Sequence, residues 1–276
     1  MAVAVSGCSG AAAKTATWPA ATPIAPLQIE ANTVLYGERL SGRILRLDLR
    51  APKNAPVEIA KLTVDGSGEQ RGLVGLASIH GNLYAAWVRP GDLRLVVGHV
   101  DGDRTLIWIG PVTGVKAIGG HLGVLGDRLV TALGELVKDP ALAGRVFTLD
   151  PSGAENQTPV IVSKGWHNPF AFVVHGNNVV VADNAPDGVP ERLGQVPLPE
   201  KVERAPSAIV VTPNGRYGIC GYLDGEMRGY TINDDGGVER SGTIISSDCR
   251  TGATALADGR YVITDDDTVR LVSPRG

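Results

Sequence analysis

One phrase recurs five times along the chain: a polar turn containing glycine, followed at once by a short β-rich run. It reads HGNLYAAWV (80–88), LGDRLVTALG (125–134), HGNNVVVADN (175–184), PNGRYGICGY (213–222) and DGRYVITDD (258–266). Successive copies lie about 45, 50, 38 and 44 residues apart. A repeat of roughly 40–50 residues is typical of one four-stranded blade of a β-propeller. We therefore expect the chain to form a ring of such blades.

A further copy stands near the start, in NTVLYGERLSGRILRLDL (32–49). Strong helical periodicity is almost absent, and short β-rich runs separated by Gly, Asp, Asn and Pro continue to Val272. A β-sandwich would not need evenly spaced copies of one phrase. The sequence predicts an all-β fold, a six-bladed β-propeller of four-stranded antiparallel blades over residues 30–276, with no room for a second domain. The chemistry of such a ring is expected at one end of its central channel, where loops converge.

The composition excludes several classes of protein. The 276 residues (28.8 kDa) include 36 glycines, 43% of them are apolar and 20% charged, and the formal charge is -3. This balance excludes intrinsic disorder, collagen and coiled coil. A charge so near zero lacks the basic footprint of a nucleic-acid-binding protein. No apolar run approaches the roughly 20 residues of a membrane-spanning helix.

Residues 1–29 are interpreted as an export signal and an Ala/Thr/Pro tether. Val5-Ser6-Gly7-Cys8 has the form of a bacterial lipobox, in which Cys8 becomes the lipidated first residue of the mature protein. The apolar stretch before it is short and has no basic leader, so an Ala-rich terminus with an incidental cysteine is the alternative. We expect an exported monomer of the cell envelope, attached only by lipid to the outer face of the membrane.

Two further cysteines, Cys220 and Cys249, stand in the last third of the chain. An exported protein meets an oxidising compartment, so a disulfide between them is chemically allowed. The pairing needs Cα atoms within about 7 Å, which the sequence does not give. Two separate buried thiols are the alternative.

Seven collinear segments resemble the glucose/sorbosone dehydrogenase family. They are LYGERLSGRILRLDL (35–49), EQRGLVGLA (69–77), GGHLGVLGDRLVTALGEL (119–136), LAGRVFTLDPSG (142–153), GWHNPFAF (165–172), VADNAPDGVPERL (181–193) and CRTGATALADGRYVITDDDTVRLVSP (249–274). The resemblance implies a soluble aldose sugar dehydrogenase-like six-bladed propeller that uses pyrroloquinoline quinone (PQQ) and calcium. In that family a hydride passes from a sugar hydroxyl carbon to the quinone while a histidine removes the hydroxyl proton.

The family's catalytic histidine is not retained. The matching motif, VKAIGGHL, has Ala117 at that position, and alanine cannot accept a proton. His121 stands four residues later, and His167 stands in GWHNPF, so either of them could have taken over as the catalytic base. The alternative for His121 is a strand-end histidine hydrogen-bonded to a neighbouring loop.

The resemblance also implies residues for the cofactor and the substrate. Asn168 and Arg250 match positions that face PQQ, a molecule with three carboxylates, and Gln70 matches a position that faces the substrate. Ordinary loop hydrogen bonding is the alternative role for all three. A family lysine aligns with Asp224, which reverses the charge at that point.

A calcium site is the last implication of the resemblance. The segment DNAPDGVPE contains Asp183, Asn184, Ala185, Pro186 and Asp187, whose side-chain and carbonyl oxygens are ligands of the type that calcium prefers. An Asx/Pro turn that caps a strand is the alternative.

Two functions follow from these residues. The first is a quinone-dependent sugar or alcohol dehydrogenase acting on a small-molecule sugar. The second is a catalytically inactive propeller that binds a glycan, a small ligand or a protein in the cell envelope. The lost histidine favours the second function, and the breadth of the resemblance favours the first.

Overall fold

The computed structural model describes residues 15–68, 70–102, 104–113, 118–200 and 202–273. The predicted lipidation site Cys8 and Ala117, which the resemblance aligns with a histidine, lie outside these ranges. Where the chain is described, no helix is long and apolar enough to cross a bilayer.

The described residues form six four-stranded antiparallel sheets, in which the strands pair in sequence order except that β1 pairs with β24. The first three blades are β2 (Pro23–Glu30), β3 (Thr33–Glu38), β4 (Arg43–Asp48) and β5 (Val57–Lys61); β6 (Leu73–Ile79), β7 (Asn82–Val88), β8 (Leu95–His99) and β9 (Thr105–Ile109); and β10 (Gly119–Leu125), β11 (Arg128–Leu133), β12 (Arg145–Leu149) and β13 (Val160–Lys164). The last three are β14 (Ala171–His175), β15 (Asn178–Asp183), β16 (Arg192–Leu193) and β17 (Val196–Pro197); β18 (Pro206–Val211), β19 (Tyr217–Gly221), β20 (Glu226–Ile232) and β21 (Val238–Ser247); and β22 (Gly252–Ala255), β23 (Tyr261–Thr264), β24 (Thr268–Val272) and β1 (Ala16–Pro19). The predicted six-bladed β-propeller is confirmed.

The ring is closed by the amino-terminal strand. β1 pairs antiparallel with β24, from Ala16 opposite Leu271 to Pro19 opposite Thr268, and Trp18 is only 3% exposed. β2 is the innermost strand of blade 1. The propeller therefore begins at residue 16 and not at residue 30, because the segment predicted to be a tether supplies the outer strand of one blade and the inner strand of the next. Closure in this way leaves no open edge between the first and last blades.

The repeated phrase is the hairpin that joins the innermost strand of a blade to its second strand. It occupies this place in blades 2 to 6, and the turn glycines have positive φ, for example 79° at Gly81 and 61° at Gly126. Glycine adopts this backbone conformation without the steric cost that a side chain would carry. The phrase recurs because these five blades use the same turn, whereas blade 1 joins β2 to β3 through Ala31 and Asn32.

The innermost strands approach one another closely around the axis. A Cβ added at Gly75 in β6 would lie 2.5 Å from the carbonyl oxygen of Gly120 in β10. Farther out, apolar side chains such as Leu106 and Phe147, both fully buried, fill the space between blades 2 and 3. The packed seams make the ring a rigid scaffold. At one end of it lie the loops that enter the inner strands and those that leave the second strands.

Candidate ligand-binding cavity

A cavity of about 420 Å³ opens at this end of the channel, a size suited to a small molecule. Its walls come from residues just before or at the start of inner strands and residues just after second strands. They are Thr22, Pro23, Ile24, Arg39, Gln70, Val74, Asn168, Phe170, Asn184, Ala205, Pro206, Ser207, Tyr222, Arg250, Thr251 and Asp266. The predicted residues Gln70, Asn168, Asn184 and Arg250 are thus brought together.

Arg250 is held in a defined position on the wall. Its Nη1 donates hydrogen bonds to the carbonyl oxygens of Tyr222 (2.6 Å) and Leu223 (3.1 Å). Its Nε lies 3.2 Å from Oδ1 of Asp265. Gly225 allows the guanidinium to lie against the backbone, since a Cβ there would be 3.1 Å from Cζ of Arg250. The side chain is a fixed cation beside the cavity.

Arg39 is a second cation that the sequence analysis missed. It follows β3, and its Nη1 donates to the carbonyl oxygen of Arg71 at 3.0 Å. Burial lowers the pKa of Arg39, and the neighbouring Tyr222 and Asp266 oppose this shift only in part. A half-buried guanidinium of this kind gains stability from an added anion. The signal that could have found it is positional: Arg39, Asn184, Tyr222 and Asp266 all follow the second strand of their blades.

Two side-chain amides on the wall have an oxygen without a partner. Oδ1 of Asn168 and Oδ1 of Asn184 are buried, and neither accepts a hydrogen bond. Asn168 is only 4% exposed, and its backbone N–H donates to Oδ1 of Asp183 at 2.9 Å. A buried acceptor left unpaired costs about 1–3 kcal/mol. Such groups in a cavity wall are expected to be satisfied by a ligand.

Gln70 adopts a backbone conformation that few residues other than glycine adopt. Its φ is 56°, and its Oε1 accepts a hydrogen bond from the backbone N–H of Ile118 at 3.2 Å. Thr22 and Ala205, which also line the cavity before inner strands, have φ values of 49° and 52°. Each such residue costs free energy that the surrounding fold must supply. Their clustering at one mouth marks it as a specialised part of the ring.

Neither of the two histidines predicted as bases is among the residues that line the cavity. The ring of His121 packs against Phe170 and Phe172, with centroids 5.9 and 5.3 Å away, and burial lowers the pKa of His121 to about 4. Because the ring packs on these two aromatic side chains and does not line the cavity, it is not placed to take a proton from a ligand there.

His167 instead lies behind the cavity wall, between Asn184 and Glu135. Its Nδ1 lies 2.7 Å from the carbonyl oxygen of Asn184, so Nδ1 must carry the proton, because a carbonyl oxygen only accepts. Its Nε2 lies 3.6 Å from Oε1 of Glu135. This geometry makes His167 a support for Asn184 and not a base on the wall.

The predicted calcium loop is occupied by internal contacts. Asp183 is fully buried. Its carboxylate accepts hydrogen bonds from the backbone N–H groups of His167 and Asn168, and it forms an ion pair with Arg192. Asp187 and Pro186 are exposed, while Ala185 is buried. Among the residues that the structure describes, no group of three or more Asp, Glu, His or Cys could hold a metal. The loop does not fit a calcium ion, since a cation already neutralises its buried carboxylate.

Cys220 and Cys249 are joined by a disulfide, with Cα atoms 5.4 Å apart. The bond links the second strand of blade 5 to the segment that leads into blade 6.

Asp224, which the resemblance aligns with a lysine, also has a structural role. Burial alone would raise its pKa, but hydrogen bonds from Arg204 and the N–H of Glu226 lower it.

Solved structures with the same fold include sugar dehydrogenases. An oxidoreductase assigned as a glucose dehydrogenase from Thermus thermophilus superposes with a TM-score of 0.71 at 18% identity, covering 94% of this chain and 100% of that one. The PQQ-bound aldose sugar dehydrogenase of Streptomyces coelicolor superposes with a TM-score of 0.69 at 15% identity, covering 95% and 99%. This chain shares its fold with sugar dehydrogenases.

The fold alone does not select the activity. A gluconolactonase from Xanthomonas campestris also superposes, with a TM-score of 0.59 at 16% identity over 94% of this chain and 87% of that one. At the sequence level no family model matches the chain, and no curated protein is similar enough to match. The activity must be argued from the cavity.

Proposed function

We propose that the protein is a sugar dehydrogenase-like oxidoreductase that binds PQQ in the cavity and oxidises a hydroxyl group of a small sugar. The proposal depends on two features of one cavity. Its wall contains two arginines, Arg39 and Arg250, and it also contains the buried, unpartnered amide oxygens of Asn168 and Asn184. The carboxylates of a flat, polar molecule would pair with the arginines, and an N–H donor of that molecule or a hydroxyl group of the sugar would satisfy the amide oxygens. The PQQ-bound state of the Streptomyces coelicolor enzyme, which has the same fold, supports this choice.

The residues present fit this cofactor. Arg39 and Arg250 would bind its carboxylates, and the amides would bind its remaining polar atoms, since an amide offers both an acceptor and donors. Bound PQQ would supply an acceptor for the hydride of the sugar. Val74 and Phe170 exclude water from the wall, and Gln70 would orient the sugar. Calcium has no role in this proposal, because the predicted loop does not fit it.

The proton acceptor would be Asp266. It is the sole carboxylate among the described lining residues, and it lies close enough to Arg39 to influence its pKa. A carboxylate can accept a hydroxyl proton when it is correctly placed. Asp266→Asn should therefore abolish turnover while PQQ is still retained.

One observation favours a second function. Ala117 replaces the family's catalytic base, and no imidazole is among the described lining residues. The same cavity without turnover would serve as a binding module for an anionic or hydroxylated small molecule, such as a glycan fragment. Export, lipidation of Cys8 and a monomeric state are proposed with either function. The disulfide supports export, because such bonds persist in oxidising compartments.

Reconstitution separates the two functions. The purified protein is incubated with PQQ, and cofactor absorbance retained after desalting is measured together with dye reduction by a panel of aldoses. We expect Arg250→Gln and Arg39→Gln each to weaken PQQ binding by about 10- to 100-fold, as loss of a charge-assisted hydrogen bond predicts. Arg216→Gln, on an exposed turn, is the matched control. Retention of PQQ without dye reduction would support the binding module, and absence of retention would refute the binding of PQQ by the two arginines.

A further inference from the structure

The disulfide lies next to Arg250, one of the two cations on the cavity wall. Cys249 directly precedes Arg250, and Cys220 is two residues before Tyr222, whose carbonyl oxygen accepts from Arg250. The backbone N–H of Cys249 also donates to the carbonyl oxygen of Gly225 at 2.8 Å. Both sulfur-bearing residues are fully buried. The bond therefore joins the segment that carries Arg250 to the turn that holds its guanidinium.

The two joined segments belong to different parts of the ring. Tyr222 and Gly225 lie in the turn after β19 of blade 5, whereas Arg250 lies in the crossing to β22 of blade 6. Without the disulfide, this point of the seam would be held only by non-covalent contacts. Arg250 would then sample more positions, and binding an anion would have to order it. Arg39 has no such link, because it is anchored to Arg71 across the seam between blades 1 and 2.

We propose that the Cys220–Cys249 disulfide positions Arg250, so that the cavity binds anionic ligands tightly when the bond is formed and weakly when it is reduced. Reduction is a two-electron step in which a dithiol gives two electrons and two protons, the S–S bond breaks and two thiols form. The inference rests on the proposed function only in requiring a carboxylate ligand in the cavity. It adds redox control of that site.

A double-mutant cycle tests the link between the disulfide and Arg250, with PQQ as the probe in the absence of thiols. We expect the Cys220→Ala/Cys249→Ala protein to bind about tenfold more weakly. Arg250→Gln should cost about 10- to 100-fold with the disulfide present and about tenfold less than that without it. Arg39→Gln, the matched control, should cost the same in both backgrounds. Equal costs of Arg250→Gln in both backgrounds would overturn the proposal.

The wild-type protein provides a second measurement if the double alanine variant does not fold. The reduction midpoint of the disulfide is measured in thiol buffers by alkylation and mass shift, with and without saturating PQQ. In these buffers the quinone is reduced to the quinol, which keeps its three carboxylates. A tenfold tighter affinity of the disulfide form requires a midpoint lower by about 30 mV when ligand is bound. Arg250→Gln should remove this shift.

The outcomes separate this inference from the proposed function. If wild-type protein retains no PQQ, the proposed function fails and the redox control fails with it. If wild-type protein retains PQQ but the midpoint does not move, only the redox control fails.

Discussion

Two regions of the molecule use arginine in opposite ways. Arg204, in blade 5, is 1% exposed, and its guanidinium donates to Oδ2 of Asp224 (2.7 Å), the hydroxyl of Tyr230 (2.8 Å) and the carbonyl oxygen of Glu226 (2.6 Å). In the cavity, Arg39 donates to one carbonyl oxygen, and the amide oxygens of nearby asparagines have no partner. Groups whose hydrogen bonds are all made within the fold support structure, whereas groups with bonds still unmade can bind a ligand.

The pKa shifts of the two arginines show the same contrast. Burial would lower the pKa of Arg204, but Asp224, Tyr230 and Glu200 outweigh burial and raise it. Burial lowers the pKa of Arg39, and Tyr222 and Asp266 offset the shift only in part. A desolvated cation is stable where carboxylates surround it, and it attracts an anion where they do not.

Removing Arg204 should have the largest effect on stability. Arg204→Leu leaves Asp224 and the hydroxyl of Tyr230 without their buried partner, and the loss of one member of a buried pair costs about 3–5 kcal/mol. We expect the melting temperature to fall by roughly 6–20 °C in thermal unfolding followed by circular dichroism. Arg216→Leu, on an exposed turn, should change it by no more than about 2 °C. If both variants had a comparable melting temperature, Arg204 would not have the structural role that we assign to it.

His121 provides an intermediate case, a titratable group in apolar surroundings. Its folded pKa of about 4 lies below the unfolded value of 6.5. Above pH 6.5 the ring is neutral in both states and costs nothing. Between pH 6.5 and 4 the unfolded chain binds a proton that the folded chain does not, so up to about 3 kcal/mol of stability is lost.

His121→Leu should remove most of this pH dependence. Urea unfolding at pH 7 and pH 4.5 should show that the wild type loses about 2–3 kcal/mol more than the variant between the two conditions. His80→Leu, on an exposed turn, is the control and should retain the wild-type dependence. If His121→Leu keeps the full dependence, the ring is accessible to water and could still act as a base.

The repeat could be predicted because blades 2 to 6 use the same glycine turn, and this periodicity is visible in the sequence. The inner strands β10 (GGHLGVL) and β22 (GATA) were harder to predict. Their glycines lower β propensity, and they are present because the neighbouring strand approaches closely at the axis, as the backbone nitrogen of Ala25 and the ring of Pro26 do at Gly252. Prolines obscured β2 in the same way.

The site was predicted only in part, for a different reason. Asn168, Gln70 and Arg250 were identified through resemblance, and the structure places them on the cavity wall. The direction of His121 could not be inferred, because the register of β10 against β11 shifts between Gly119 and Leu122. A bulge of this kind changes the direction in which a side chain points. Neither the composition of the chain nor the spacing of its repeats predicts such a bulge.

The smallest expected change in stability follows from Asn168→Ala. This substitution tests most directly whether a group without a partner in the fold serves a ligand. Asn168→Ala removes a buried oxygen that has no partner, so the usual cost of losing a polar group is absent. We expect the free energy of unfolding to stay within about 1 kcal/mol of the wild type or to rise. PQQ binding should weaken by about tenfold, because the ligand loses its partner. Asn177→Ala, on an exposed turn, should change neither quantity. A loss of about 2 kcal/mol or more for Asn168→Ala would mean that its amide already bonds within the fold, which would place it with Arg204 among the structural groups.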